Sequence, residues 1–506
     1  MAFPRLIDAT CDDIRRALDD GLFSSLDLVR AYLKRIEEVN ETVRAVTEVN
    51  PDACEIAGML DEERARGIVR GPLHGVPILL KNNIATADNL NTTAGSTLLK
   101  GTRVPRDSTT AARLRATGAI ILGKTNLTQW ANYRSLNSPD GWSADGGQTL
   151  GAYHVNQDPS GSSSGSGVAV DLGLAAAAIG TETDGSIMGP AAKNGIVGIK
   201  PTVGLTSRDL VIPISEHQDS VGPMARCVRD AALLLGVLAG RDEFDMYTWE
   251  MGGVPDYVGA CRDGLRGARL GVPFHLLDRE GIEVEIEEFK KALGMLEDCG
   301  AVVVGCEFGA SKRDIRGKEF QVFAADFVPG LEKYLSQLVY NPSGIRTLQD
   351  VRDLTRQSEQ EAYPEMNTDR WDEALAQGWD NTDVEFGRVY GELMDMGNAC
   401  LPRVLEELEL DAVVLPTTIA PVWAAVVGAP IITVPLGHYP GDAVVRMENG
   451  LVDTGPGVPF GLSFLGRRWG EERLIGLAYG FEERTRVRGR SVERVVEPRG
   501  EVVREG

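Results

Sequence analysis

The sequence predicts an α/β layered fold, a large mixed central sheet covered by helices on both faces. Two observations carry that reading. Short apolar, β-branched runs alternate with amphipathic helical stretches over most of the chain, the pattern of strands buried between helix layers. A chain of 506 residues that is 43% hydrophobic can also bury a large core. Length alone allows two or three domains, or one elaborated domain.

The elements follow in order. Ser24 or Ser25 caps a helix running to Asn40, with Leu26, Val29, Leu33 and Ile36 at helical spacing. A second helix, 51–66, begins after Pro51. His74–Leu80 is an apolar, β-rich candidate strand, Thr109–Thr117 is helical, and Ala119–Leu122 is again strand-like. A helix is expected over 165–173, then short strands at Leu174–Ile179 and Ile196–Lys200. Asp219–Leu238 has long helical periodicity. Arg269–Val272 and Ala301–Val304 read as strands flanking a helix at 281–298. Later strands are expected at 412–415, 430–435 and 459–465, and a helix at 471–483. Residues 307–395 differ: they are polar, helix-prone, and carry Trp371 and Trp379. They are either an insertion over a site or extra helices packed on the sheet. The end of the chain, rich in Arg, Glu and Val, reads as a loose tail from about 491 to 506.

Composition excludes several function classes. With 52 basic against 74 acidic residues the net charge is -22, so the chain repels phosphate backbones and anionic membranes, and no nucleic-acid or membrane partner is expected. Seven cysteines with no CxxC pair read as reduced thiols. Five scattered histidines show no metal-ligand spacing, so neither a metal nor a cofactor is expected. The first residues lack the regions of a signal peptide, and no apolar run is long enough to span a bilayer, so a cytoplasmic protein is the expectation.

Two pattern matches fail on physical grounds. Gly118–Thr125 fits the phosphate-loop spacing, but its four variable positions are Ala-Ile-Ile-Leu, the most strand-like residues nearby. Gly161–Gly165 fits the nucleophile elbow centred on Ser163, with Asp411 and His438 downstream in the right order. A second Gly/Ser turn soon afterwards does not belong to that motif. The remaining reading takes both turns, Gly161–Gly167 and Gly180–Ser186, together with Lys81 at the end of the apolar run Val76–Leu80. A serine hydroxyl is a weak nucleophile that needs a base. A lysine serves as that base only when neutral, and burial at a strand end favours the neutral amine.

Those residues carry a family resemblance. Gly71–Pro77, Lys81, Leu122–Leu127, Gly161–Ser166, Gly180–Ser186 and Gly195–Thr202 resemble the amidase signature family, with weaker agreement over most of the chain. Gly141–Ser143, Gly146–Thr149 and Gly180–Ser186 look most like its peptide amidase branch. The resemblance implies a single amidase domain over 1–490 with a signature core at about 71–241. It implies Ser186 as nucleophile, Ser162 as bridging serine after a cis peptide bond, and Lys81 as base. It places the oxyanion hole on the backbone amides of Thr183, Asp184, Gly185 and Ser186. The implied activity is hydrolysis of a carboxamide, a small amide or a C-terminal peptide amide, by a monomer or homodimer. Two alternatives use the same chemistry: an amide-forming acyltransferase, and the A-type subunit of a tRNA-dependent amidotransferase. Three departures stand out. Asn82 follows the lysine where the family commonly has Asp. Met188 stands where Arg often follows Ser-Ile, which is expected to alter the wall of the acyl pocket. Asp171 sits in a helix usually lined with small apolar residues.

Overall fold

The computed structural model of the protein describes residues 3–489 and 492–503. Eleven strands form its central sheet. In chain order they are β1 (Val46–Val49), β2 (Pro77–Lys81), β3 (Ile120–Thr125), β4 (Ala177–Glu182), β5 (Val197–Lys200), β6 (Ser220–Ala225), β7 (Arg269–Val272), β8 (Val302–Gly305), β9 (Ala412–Pro416), β10 (Ile431–His438) and β11 (Pro459–Leu465). Their spatial order is β1-β3-β2-β4-β6-β5-β10-β11-β9-β7-β8. The sheet is mixed: β2 runs parallel to β3 and β4, whereas β6, β5, β10 and β11 are antiparallel to their neighbours. Every residue of β2, β3, β4, β5, β6, β9 and β11 is buried, the setting in which strands such as β2 and β9 read as apolar runs rather than alternating ones. Among the described residues, no helix is long and apolar enough to cross a membrane. All seven cysteines are free.

Two sequence expectations need correction. The strand expected at Leu174–Ile179 is instead Ala177–Glu182, so it carries Gly180-Thr181-Glu182 into the sheet. Asp219–Leu238 is not one helix: Ser220–Ala225 is the central strand β6, and the helix starts only at Val228. The reason is tertiary. A side chain at Gly222 would strike the Ile199 carbonyl of β5, so glycine lets this segment press between two strands, a contact that periodicity does not register.

Residues 307–395 fold into helices Lys312–Ser336, Leu348–Gln357, Asp369–Ala376 and Val384–Asn398. The first three build a second apolar core with the 130–133 segment, in which Trp371 meets Trp130 edge-on at 5.7 Å, whereas Phe386, Val389 and Leu393 of the fourth join the main core. Glu361 anchors the second core. This fully buried carboxylate lies 3.1 Å from Arg134 and accepts from Ser96 Oγ and the Thr97 amide, both at 2.8 Å.

Within the described residues, the C-terminal segment makes buried polar contacts with the rest of the chain. Arg494 and Arg488 reach Asp171 at 2.7 and 2.9 Å, and the Tyr153 hydroxyl donates to the same carboxylate at 2.8 Å. Arg35, itself fully buried, donates to the Gly500 carbonyl at 2.6 Å. Burial alone would raise the Asp171 pKa; the Arg494 and Arg488 charges outweigh it and hold it at about 2. The unexpected acid in an apolar helix is thus the anchor of the tail.

Candidate active site

Strand register sets the base. Lys81 is the last residue of β2, paired with Thr125 of β3, while Leu80 pairs with Ile179 of β4. The Lys81 side chain is fully buried. Its Nζ lies 2.7 Å from Ser162 Oγ and donates to the Thr181 carbonyl at 3.0 Å. Burial lowers its pKa to about 7 against the opposing pull of Glu182 and Asp219. The neutral amine therefore has a lone pair to offer the Ser162 hydroxyl near neutral pH. Asn82 turns away, bonding Thr47 Oγ1, Thr93 Oγ1 and the Thr93 amide at 3.0–3.1 Å. It brings no charge to the lysine, and its amide instead ties the end of β2 to β1 and to the loop at Thr93.

The two Gly/Ser turns meet at this point. The Gly161–Ser162 peptide is cis. The Ser162 carbonyl accepts from the Thr128 amide at 3.1 Å, and the Ser163 amide donates to the Ser186 carbonyl at 3.0 Å. Ser163, the elbow candidate, is occupied structurally, its hydroxyl donating to Thr181 O at 3.1 Å. Asp411 pairs with Arg473 at 2.9 Å, and the His438 ring stands 5.8 Å from that of Tyr153, so no elbow triad assembles. The phosphate-loop match is strand β3, and its Lys124 is buried against Thr92 Oγ1 at 3.1 Å.

Ser186 opens on a cavity of about 720 Å³, together with Thr183, Asp184, Gly185 and Gly161. Gly185 has φ +86°, a conformation that favours glycine. Among the described residues, the amides of Asp184, Gly185 and Ser186 donate to no protein acceptor, whereas those of Ile187 and Met188 both donate to Glu182 Oε2, at 2.6 and 2.8 Å. The turn thus has free N–H groups at its cavity end and a buried carboxylate fixing its far end. Such a turn can bind an oxyanion. Met188 does not form the pocket wall as expected. It is fully buried and packs on Gly198 of β5, and Gly189 faces the cavity instead.

Sequence reasoning missed several groups here. Glu182 gave no signal apart from its place inside the second turn. Trp130, Ala131 and Asn132 lie consecutively at φ 54°, 55° and 72°, a left-handed run that costs energy in non-glycine residues and brings Ala131 and Asn132 to the cavity. From the insertion come Lys312, Arg316, Phe320, Phe323 and Arg370. Away from the cavity's serines, Glu216, His217 and Asp326 lie within reach of one another. Their atoms are already engaged, His217 Nδ1 with Asp326 at 2.9 Å and Asn381 Nδ2 with Glu216 and Asp326 at 2.8 and 3.0 Å.

A mixed sheet that buries a near-neutral lysine behind two serine turns, one of them open to a cavity, defines a hydrolase of amides. The model of the amidase family matches residues 27–425, and the chain belongs to that family. A protein of Arthroderma benhamiae named as an amidase is 47% identical over 99% of this chain and 89% of its own length. The solved structure of native peptide amidase from Stenotrophomonas maltophilia superposes with a TM-score of 0.85 at 40% identity, covering 99% of each chain. A glutamyl-tRNA(Gln) amidotransferase subunit from Alkaliphilus metalliredigens is 36% identical, but over only 59% of this chain and 60% of its own length.

Proposed function

We propose that the protein is a serine amidase that hydrolyses C-terminal peptide amides, with Ser186 as nucleophile, Ser162 as relay and Lys81 as base. The observation that carries this is the lysine: buried, its pKa lowered to about 7 so that a large share is neutral near that pH, and 2.7 Å from Ser162 Oγ. Depth supports the order of the relay, since Lys81 and Ser162 are fully buried and only Ser186 faces the cavity.

Lys81 accepts the Ser162 proton while Ser162 takes that of Ser186, and Ser186 Oγ bonds to the amide carbon. The carbonyl oxygen gains the charge, and the amides of the Thr183–Ser186 turn stabilise it. As the C–N bond breaks, the proton returns through Ser162 to the departing nitrogen, releasing ammonia or an amine. Water then attacks the ester along the same relay, giving the acid and free Ser186.

A cavity of about 720 Å³ has room for the last residues of a peptide, and the structural neighbour from Stenotrophomonas maltophilia is itself a peptide amidase. The test is a mass-spectrometric screen of a mixed library of peptide amides and small amides, with Ser186→Ala as control. We expect mass gains of about 1 Da for C-terminal amides in the wild type and none in the control. Turnover by Ser186→Ala, or conversion of small amides alone, would overturn the corresponding part of the proposal.

A further inference from the structure

The geometry points to Arg316 as a positioning residue that holds the oxyanion turn from the insertion, through Asp184. This rests on the reading of Ser186 as nucleophile and of the Thr183–Ser186 amides as the oxyanion hole.

Besides its backbone bonds, the turn is held by side chains at three places. Glu182 accepts from the amides that follow it, and Thr183 Oγ1 donates to Asp219 Oδ1 at 2.5 Å. Both holds belong to the sheet and its loops. The third comes from helix Lys312–Ser336, where Arg316 Nη1 forms an ion pair with Asp184 Oδ2. The same Nη1 donates to Glu319 Oε2 at 2.7 Å, and Glu319 Oε1 accepts from Gln218 Nε2 at 2.9 Å. The two carboxylate side chains are buried, Asp184 at 4% exposure and Glu319 at 0%. Without the guanidinium, two buried acids face each other with only the neighbouring Lys312 as counter-charge, an unfavourable arrangement.

Asp184 lies two residues before Ser186, inside the turn whose amides are free. Repulsion from Glu319 would therefore move the oxyanion donors themselves. A misplacement of about 1 Å can cost on the order of 10²-fold in rate. The loss falls on the chemical step, because the donors act on charge that develops only in the transition state. Arg316 also borders the cavity, so direct contact with substrate is the rival role. That role would appear in affinity instead.

The experiment measures labelling of the full-length protein by an activated aryl phosphonate, which forms a tetrahedral adduct on the nucleophile. Saturating rate and half-saturating concentration are recorded separately, with thermal midpoints to verify folding. The variants are Arg316→Gln, Arg316→Lys, Asp184→Asn and the double Arg316→Gln/Asp184→Asn. We expect Arg316→Gln to lower the saturating rate about 10²-fold, with the half-saturating concentration within about twofold. Arg316→Lys should restore part of the rate, and the double variant should be no slower than Arg316→Gln. A loss carried by the half-saturating concentration, or single losses that multiply in the double variant, would overturn the proposal. Should Arg316→Gln fail to fold, an unchanged rate in Asp184→Asn overturns it equally. Ser186→Ala keeps the two readings apart: persistent labelling there refutes the nucleophile assignment, whereas abolished labelling with full-rate Arg316 variants refutes this inference alone.

Discussion

The Ser163 amide donates to the Ser186 carbonyl at 3.0 Å. That bond locks two glycine–serine turns, separated in sequence by a helix and a strand, into one unit. The hydroxyl 2.7 Å from Lys81 belongs to the first turn, and the hydroxyl facing the cavity belongs to the second. The proposed relay uses both.

Ser186→Ala is expected to abolish amide turnover and phosphonate labelling. Ser162→Ala should retain labelling but slow turnover by about 10²–10⁴-fold, the range that positioned proton transfer supplies. Single-turnover kinetics on a peptide amide, with circular dichroism to verify folding, decide this.

Activity should rise with pH through a limb near 7. Lys81 acts as a base only when neutral, and burial lowers its pKa to about 7. One pH unit below the limb, kcat/KM should fall about tenfold. The profile of kcat/KM from pH 5 to 9 measures it, and a flat profile across 6–8 contradicts the assigned base.

Lys81→Met should eliminate activity and raise the thermal midpoint. The folded lysine titrates at about 7 and the unfolded one at about 10.4. Between those values the unfolded chain binds more protons, so wild-type stability gains on the variant as pH rises. The advantage of Lys81→Met is therefore largest below pH 7 and shrinks toward 10.4. Paired melting curves at pH 6, 8 and 9 test the sign.

Asp171→Asn should destabilise the fold by about 3–5 kcal/mol, because it leaves Arg488 and Arg494 without their buried partner. Stability from this carboxylate is present above its unfolded pKa and is lost only as pH falls toward about 2. Residues 492–503 should become the first site of limited proteolysis, with kcat unchanged. A variant as protease-resistant as the wild type would refute the anchoring role.

Much of the site was legible in the chain. Lys81, Ser162 and Ser186 all lie at the ends of recognisable apolar runs or inside Gly/Ser turns, and the structure brings them to one place. Periodicity failed at Ser220–Ala225, where glycine admits a strand that the flanking pattern reads as helix. It also missed the left-handed run at Trp130–Asn132, since nothing local marks those residues for that conformation. Neither Arg488 nor the tail charge Arg494 could be paired from the sequence, because Asp171, their partner, is more than three hundred positions away.

By itself, the sequence determined the residue types, the turns that hold them and the layered class of fold. These depend on local rules: glycine at a left-handed turn, apolar runs in buried strands, a hydroxyl and an amine at their ends. Only the tertiary structure decided that Lys81 is buried deeply enough for its pKa to fall to about 7, that Glu182 and Asp219 hold the Thr183–Ser186 turn, and that Arg316 reaches Asp184 from an insertion far along the chain. Burial and ion pairing depend on which surfaces meet, and that meeting is a property of the packed sheet and its insertion rather than of any segment.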